Sequence, residues 1–441
     1  MVRETWATRL GFILAAVGSA VGLGNIWRFP FLTGEAGGAA FLVVYLLFVA
    51  VIGLPVLLVE LVIGRRSNRN TIGAFEALDA PNWKYAGAVG AVAGFIILSY
   101  YSVVGGWVIQ YLIASLTGAY AANPTEYFGA AASGLNAVGF HALFMGLVAV
   151  VVALGIRNGL ERAAKVMVPS IVFLLVVLAG YGSTLSGAGD AYAYYLSPDV
   201  ATITANATSL IPDAAGQAFF TLSLGMGVMV TYASYLGEDR NLFRDAGTIV
   251  VIDTLVAFLA GLVVFPFLFT QGVEPGSGGA GAVFISLATA FAELPAGGVV
   301  GAVFFFMLGI AALTSAFSIL EVVVSYVVDT YGVARKPATV AIAGIIFLVG
   351  IPTALDLTYL DTYDLLANNI LLILGGLLLS IFVGWRFAGE AIDELRKGSG
   401  DETLSVAWIW IVRLLVPVVL LYTLYLGVDG YVEFLAETYF A

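Results

Sequence analysis

The chain has 441 residues, of which 61% are apolar and 11% charged, and a formal net charge of -11 at pH 7. This composition excludes a soluble globular protein of this size and places the chain in a lipid bilayer, and its acidic balance argues against a nucleic-acid partner. Cysteine is absent and histidine single, which removes disulfides, thiolate chemistry and the commonest general base, so an enzyme is not expected.

A membrane helix needs about 20 mainly apolar residues. Eleven stretches qualify, at about 11–31, 39–64, 86–118, 136–156, 163–184, 208–236, 245–271, 297–329, 337–355, 364–387 and 406–427. Short polar links join them, so a single all-α integral-membrane domain is expected. The first stretch contains Asn25 and Arg28 and leads on into the fold, unlike a cleavable signal peptide. His141 lies in an apolar stretch without carboxylate neighbours and reads as structural.

Orientation follows from lysine and arginine, which stay on the cytoplasmic side during insertion. With the N-terminus inside, every basic residue but one falls in a cytoplasmic segment. The exception is Arg28. An arginine in the outer part of a span is expensive in hydrocarbon, so it is expected to face a watery cavity and a carboxylate partner.

Two stretches carry helix-weakening residues. Gly18, Gly22 and Gly24 crowd the first, ahead of Pro30, and Thr221, Ser223, Gly225 and Gly227 interrupt the sixth. Glycines of this kind either break a helix or let two helices pack closely. Stretches one and six are the leading members of two five-span halves, about 8–184 and 208–390, with an additional helix at about 406–427. Halves of odd span number lie with opposite topology, and paired interruptions in them point to a binding site at the membrane midplane. Unwound backbone offers carbonyls to a cation and helix N-termini offer N–H groups to a carboxylate. A zwitterion and a sodium ion suit such a site.

The segments GSAVGLGNIWRFP from Gly18, EAGGAAF from Glu35, FFTLSLGMGVMVTYASY from Phe219 and AALTSAFSILE from Ala311 resemble signatures of the neurotransmitter:sodium symporter family in its bacterial and archaeal amino-acid branch. The resemblance implies a 5+5 inverted repeat with broken helices one and six, working by alternating access in a prokaryotic inner membrane. The substrate implied is a small, apolar or aromatic amino acid, carried with sodium. Nothing in the sequence sets an oligomeric state.

Carried over by motif, one sodium site would comprise the Ala20 carbonyl, Asn25, Thr221, Asp253 and the substrate carboxylate. A second would comprise Gly18, Val21, Ala311, Thr314 and Ser315, although Thr314 and Ser315 could instead bond back to their own helix. The substrate amino group would meet carbonyls around Ala20, Phe219 and Thr221. Its carboxylate would meet the Gly24 N–H, the Tyr101 hydroxyl and sodium, and its side chain Ile97, Ser223, Met226 and Ile319, with Ser315 close by. Tyr101 and Phe220 would close over it. Arg28 with Asp364 would form an outer gate, and Arg3 with Asp329 and Trp6 an inner one. Glu60 would support the unwound region, whereas Glu321 would reach water or neighbouring backbone.

Asp253 stands where the family often has asparagine. Animal members place chloride near the first sodium with a tyrosine, a glutamine and serines; here Tyr45 and Gln217 match, but Ala257 takes a hydroxyl position. Asp253 would then replace chloride, which is not expected to be required, unless it is a protonated structural residue.

Overall fold

The computed structural model describes residues 5–238, 240–275, 281–398 and 402–440, and among them the regular structure is helical. Helix α1 (Arg9–Ala20) starts where the Thr8 hydroxyl accepts the Gly11 N–H at 3.0 Å. The cap satisfies one of the donors that a helix start leaves open. After a break, α2 (Gly24–Glu35) continues at 46° to α1. There follow α3 (Ala39–Ser67), α4 (Pro81–Thr117), α5 (Gly134–Ala153) and α6 (Ile156–Gly182). A second interrupted element comprises α7 (Ala207–Thr221) and α8 (Val228–Ala233). The chain closes with α9 (Leu242–Thr270), α10 (Gly297–Tyr331), α11 (Arg335–Leu355), α12 (Leu357–Arg386) and α13 (Thr403–Tyr439).

Among the described residues, nine helices are long and apolar enough to cross a bilayer, and the bent pair α1–α2 makes a tenth. The sixth expected stretch is divided: α7 has 15 residues and α8 six, each short of the roughly 20 that a span needs. Helix α13 runs to Tyr439 rather than stopping near residue 427. Apolar side chains such as Val166, Phe173, Val340 and Val418 point outward. Helices satisfy their own backbone groups, so these faces can meet lipid.

Helices α4 and α10 run along each other, and α5 and α11 pack beside them. Against this frame α1 packs on α6, α9 and α10, while α7 and α8 lie along α3. Both breaks are therefore held between longer helices. His141 is wholly buried between α5 and α11, its Nε2 3.0 Å from the Phe347 carbonyl and its ring stacked on Phe347.

Candidate functional site

The first break centres on Gly22. A Cβ there would lie 2.2 Å from Ser315 Oγ and 2.9 Å from the Tyr101 hydroxyl, so only glycine lets α4 and α10 come this close. The Gly22 N–H donates to Asn25 Oδ1 at 3.1 Å and the Leu23 N–H to the Tyr101 hydroxyl at 3.2 Å. Side chains thus replace partners that the break takes away. In the second break Ser223, Gly225 and Gly227 have φ of 54°, 76° and 75°. The Gly225 N–H donates to Glu60 Oε1 at 2.7 Å, the support expected of Glu60, and a Cβ on Gly225 would stand 2.1 Å from the Leu372 carbonyl oxygen. For Ser223 the left-handed conformation costs about 1–2 kcal/mol, strain of a kind that gathers at functional sites.

Asn25, Thr221 and Asp253 come from α2, α7 and α9 and meet, fully buried, at one point. Asn25 Nδ2 donates to Asp253 Oδ1 at 2.8 Å and Thr221 Oγ1 to Oδ2 at 3.0 Å. Both donors are neutral. A buried carboxylate held only by neutral donors lacks charge compensation, which a cation taking oxygen ligands supplies. Tyr45 is buried nearby against Phe29 and Phe41. Gln217 is engaged at both ends, since its Nε2 donates to the Gly24 carbonyl and its Oε1 accepts from Arg28 Nη1, each at 2.8 Å.

The second expected set lies between α1 and α10. Ser315 Oγ donates to the Ser19 carbonyl at 2.9 Å and approaches the Val21 carbonyl at 3.4 Å. Gly18 and Thr314 line a common small cavity. The Thr314 hydroxyl donates to the Ala311 carbonyl at 2.9 Å, the bonding within its own helix that hydroxyl residues favour. Of the two neighbours, Ser315 crosses to the break and Thr314 does not.

Ala20, Gly24, Tyr101, Phe220, Ser223, Met226, Ser315 and Ile319 line one cavity between the breaks, narrowed to about 10 Å³. That is room for about one water. Ile97 and Phe219 are buried outside this lining. The Phe219 ring packs on Gly376 and its carbonyl accepts the Leu224 N–H at 2.9 Å. Consecutive helical residues point about 100° apart, so Phe220 faces the cavity and Phe219 faces α12.

At the outer gate the nearest partners are neutral. Arg28 bonds Gln217 and lies over the Phe220 ring, 5.4 Å from its centre. Asp364 accepts instead from Asn368 Nδ2 at 2.7 Å, one turn along its own helix. Arg28 and Asp364 line a common cavity of about 250 Å³, whose width leaves each with a nearer neutral partner. At the other end Trp6 Nε1 donates to the Tyr232 carbonyl at 2.9 Å, with the ring against Phe12, Tyr232 and Tyr235. Asp329 accepts from Asn70 Nδ2 at 3.2 Å, and Arg3 lies outside the described residues. Glu321 reaches neither water nor backbone as expected: it is buried, pairs with Arg335 at 2.6 Å and accepts the Tyr235 hydroxyl at 2.9 Å.

Sequence reasoning missed Ser19 and Ser318, whose hydroxyls lie 2.6 Å apart beside the cavity, and the bond from Arg28 to Gln217. A signal existed for Ser318: with Ser315 it forms a hydroxyl pair at helical spacing.

The sequence profile described as the sodium:neurotransmitter symporter family matches residues 3–131 and 131–440. The sodium-dependent transporter YhdH of Bacillus subtilis is 35% identical over 449 residues, covering 97% of this chain and 98% of its own. The sodium-dependent transporter MJ1319 of Methanocaldococcus jannaschii is 34% identical, covering 98% and 91%. Among solved structures, MhsT in complex with L-phenylalanine superposes with a TM-score of 0.89 at 41% identity, over 96% of this chain and 100% of that one.

Proposed function

Because the chain belongs to the sodium:neurotransmitter symporter family, a family of transporters and not of enzymes, we propose that it uses the sodium gradient across a prokaryotic inner membrane to bring a small amino acid with an apolar or aromatic side chain into the cell. The observation that carries this reading is the meeting of Asn25, Thr221 and Asp253 where two interrupted helices approach each other. It supplies a buried negative charge whose bonded partners are neutral, beside a cavity with an apolar wall at Met226 and Ile319. The L-phenylalanine in MhsT supports the same substrate class.

In this reading the first sodium binds Asn25, Thr221, Asp253 and the Ala20 carbonyl, and shares the substrate carboxylate. A second sodium takes oxygens of Gly18, Val21, Ala311, Thr314 and Ser315. Oxygen sets of this kind suit hard cations. The substrate carboxylate also meets the Gly24 N–H and the Tyr101 hydroxyl, so cation and amino acid stabilise each other. Chloride is not required.

The face carrying Trp6 is the cytoplasmic one in this account, and the cavity between Arg28 and Asp364 opens outward. Arg28 and Asp364 approach as that cavity shuts, and Trp6 withdraws from Tyr232 when the opposite side opens. Because only one side is open at a time, an ion gradient can drive uphill movement of the solute.

Uptake by the purified protein in proteoliposomes tests the proposal. An inward sodium gradient should drive saturable uptake of a labelled apolar amino acid, whereas an equal potassium gradient should not. Uptake that ignores sodium, or a flux that never saturates as in a channel, would refute it.

A further inference from the structure

The cavity has a polar floor of which the transport reading uses only Ser223. Ser19 and Ser223 belong to its lining, and Ser318 stands behind them on α10. All three are almost fully buried, at 1%, 4% and 0% exposure. A hydroxyl carries one proton and two lone pairs, so the direction of each bond can be counted.

Ser223 Oγ donates to the Ser19 carbonyl at 3.0 Å, and Ser318 Oγ donates to the Ser315 carbonyl at 2.6 Å. Neither has a second proton to give Ser19. With those two bonds made, Ser19 Oγ gives its own proton to Ser318 Oγ at 2.6 Å or to Ser223 Oγ at 3.2 Å. The Ser315 proton is also committed, to the Ser19 carbonyl at 2.9 Å. In this arrangement all four serine protons go to oxygens of the cluster. What these serines offer on the cavity side is acceptor capacity, chiefly the lone pairs of Ser19, while the Tyr101 hydroxyl in the same lining accepts the Leu23 N–H and keeps its own proton.

Resting on the reading of this cavity as the amino-acid site, we infer that Ser19 is a specificity-determining residue, which selects side chains combining an apolar body with a hydrogen-bond donor. The body packs against Met226 and Ile319, and the donor meets the Ser19 oxygen. Tryptophan, with its indole N–H, and tyrosine, with its phenol, satisfy both requirements. Phenylalanine, leucine and methionine satisfy only the first, and serine lacks the apolar body. A site built to bond a substrate N–H or O–H discriminates against the analogue lacking it, because its buried acceptor is then left unpaired.

The test uses the native protein in proteoliposomes and a matched pair of competitors against sodium-driven uptake of a labelled amino acid. Tryptophan is compared with benzothienylalanine, in which sulfur replaces the indole N–H while the ring shape is kept. Tryptophan should compete about fivefold or more better, as one hydrogen bond allows. In Ser19→Ala the ratio should fall toward one. The ratio is taken within each preparation, so any change in total activity cancels. Equal competition by the pair in the native protein overturns the inference, as does a ratio unchanged in Ser19→Ala. Either failure leaves the amino-acid site standing, whereas absence of any sodium-driven amino-acid uptake defeats the site reading itself.

Discussion

The two oxygen clusters at the breaks are built from unlike materials. Around Asp253 the oxygens sit on side chains drawn from three helices, and one side chain is a carboxylate. Around Ser315 the break itself contributes, through the Ser19 and Val21 carbonyls, and the side chains are hydroxyls. If both hold sodium as proposed, one concentrates its strength in a single charge and the other spreads it over dipoles that the end of α1 orients. Removing one group should then harm the two regions unequally.

The largest effect is expected from Asp253→Ala. Taking away one partner of a buried charge pair costs about 3–5 kcal/mol, so the sodium concentration that half-activates uptake should rise by about a hundredfold or more. A native midpoint in that variant would erase the contrast. Next comes Gly22→Ala, whose added methyl would stand 2.2 Å from Ser315 Oγ. Overpacking of that kind costs about 1–3 kcal/mol, so sodium activation should weaken by about tenfold.

Ser315→Ala should do less, about fivefold, because it removes one neutral oxygen worth about 1 kcal/mol. A loss from Ser315→Ala as large as that from Asp253→Ala would reverse the ranking of the two regions. The smallest effect, none, is expected on replacing chloride by gluconate, measured as the initial uptake rate. Asp253 already supplies a carboxylate, and the Gln217 amide is engaged at both ends. Chloride-dependent uptake would move Asp253 from charge compensation to a structural role.

The same contrast explains what could be read in the sequence. Asn25, Thr221 and Asp253 were named through the family resemblance, which a motif can carry because their oxygens belong to side chains, and the dense glycines marked both breaks. The Ser19 carbonyl, which accepts from two hydroxyls, was not, since every residue carries a carbonyl and only the fold decides which are released. Hydropathy reports burial in lipid but not where a helix stops. It therefore merged α7 and α8 into one stretch and missed the extension of α13 to Tyr439. Phe219 and Phe220 are chemically equivalent in the sequence, and only helix rotation turns one toward the cavity. Charge pattern identified Arg28 as needing a partner, but choosing Gln217 over Asp364 depends on the width of the cavity between them.

Equilibrium binding of a labelled amino acid to the purified native protein, titrated with sodium at constant ionic strength, tests most directly whether cation and substrate share this site. The account predicts that affinity rises by about tenfold or more from potassium alone to saturating sodium, and that saturating amino acid tightens sodium by the same factor. Amino-acid affinity that is the same with and without sodium would contradict it.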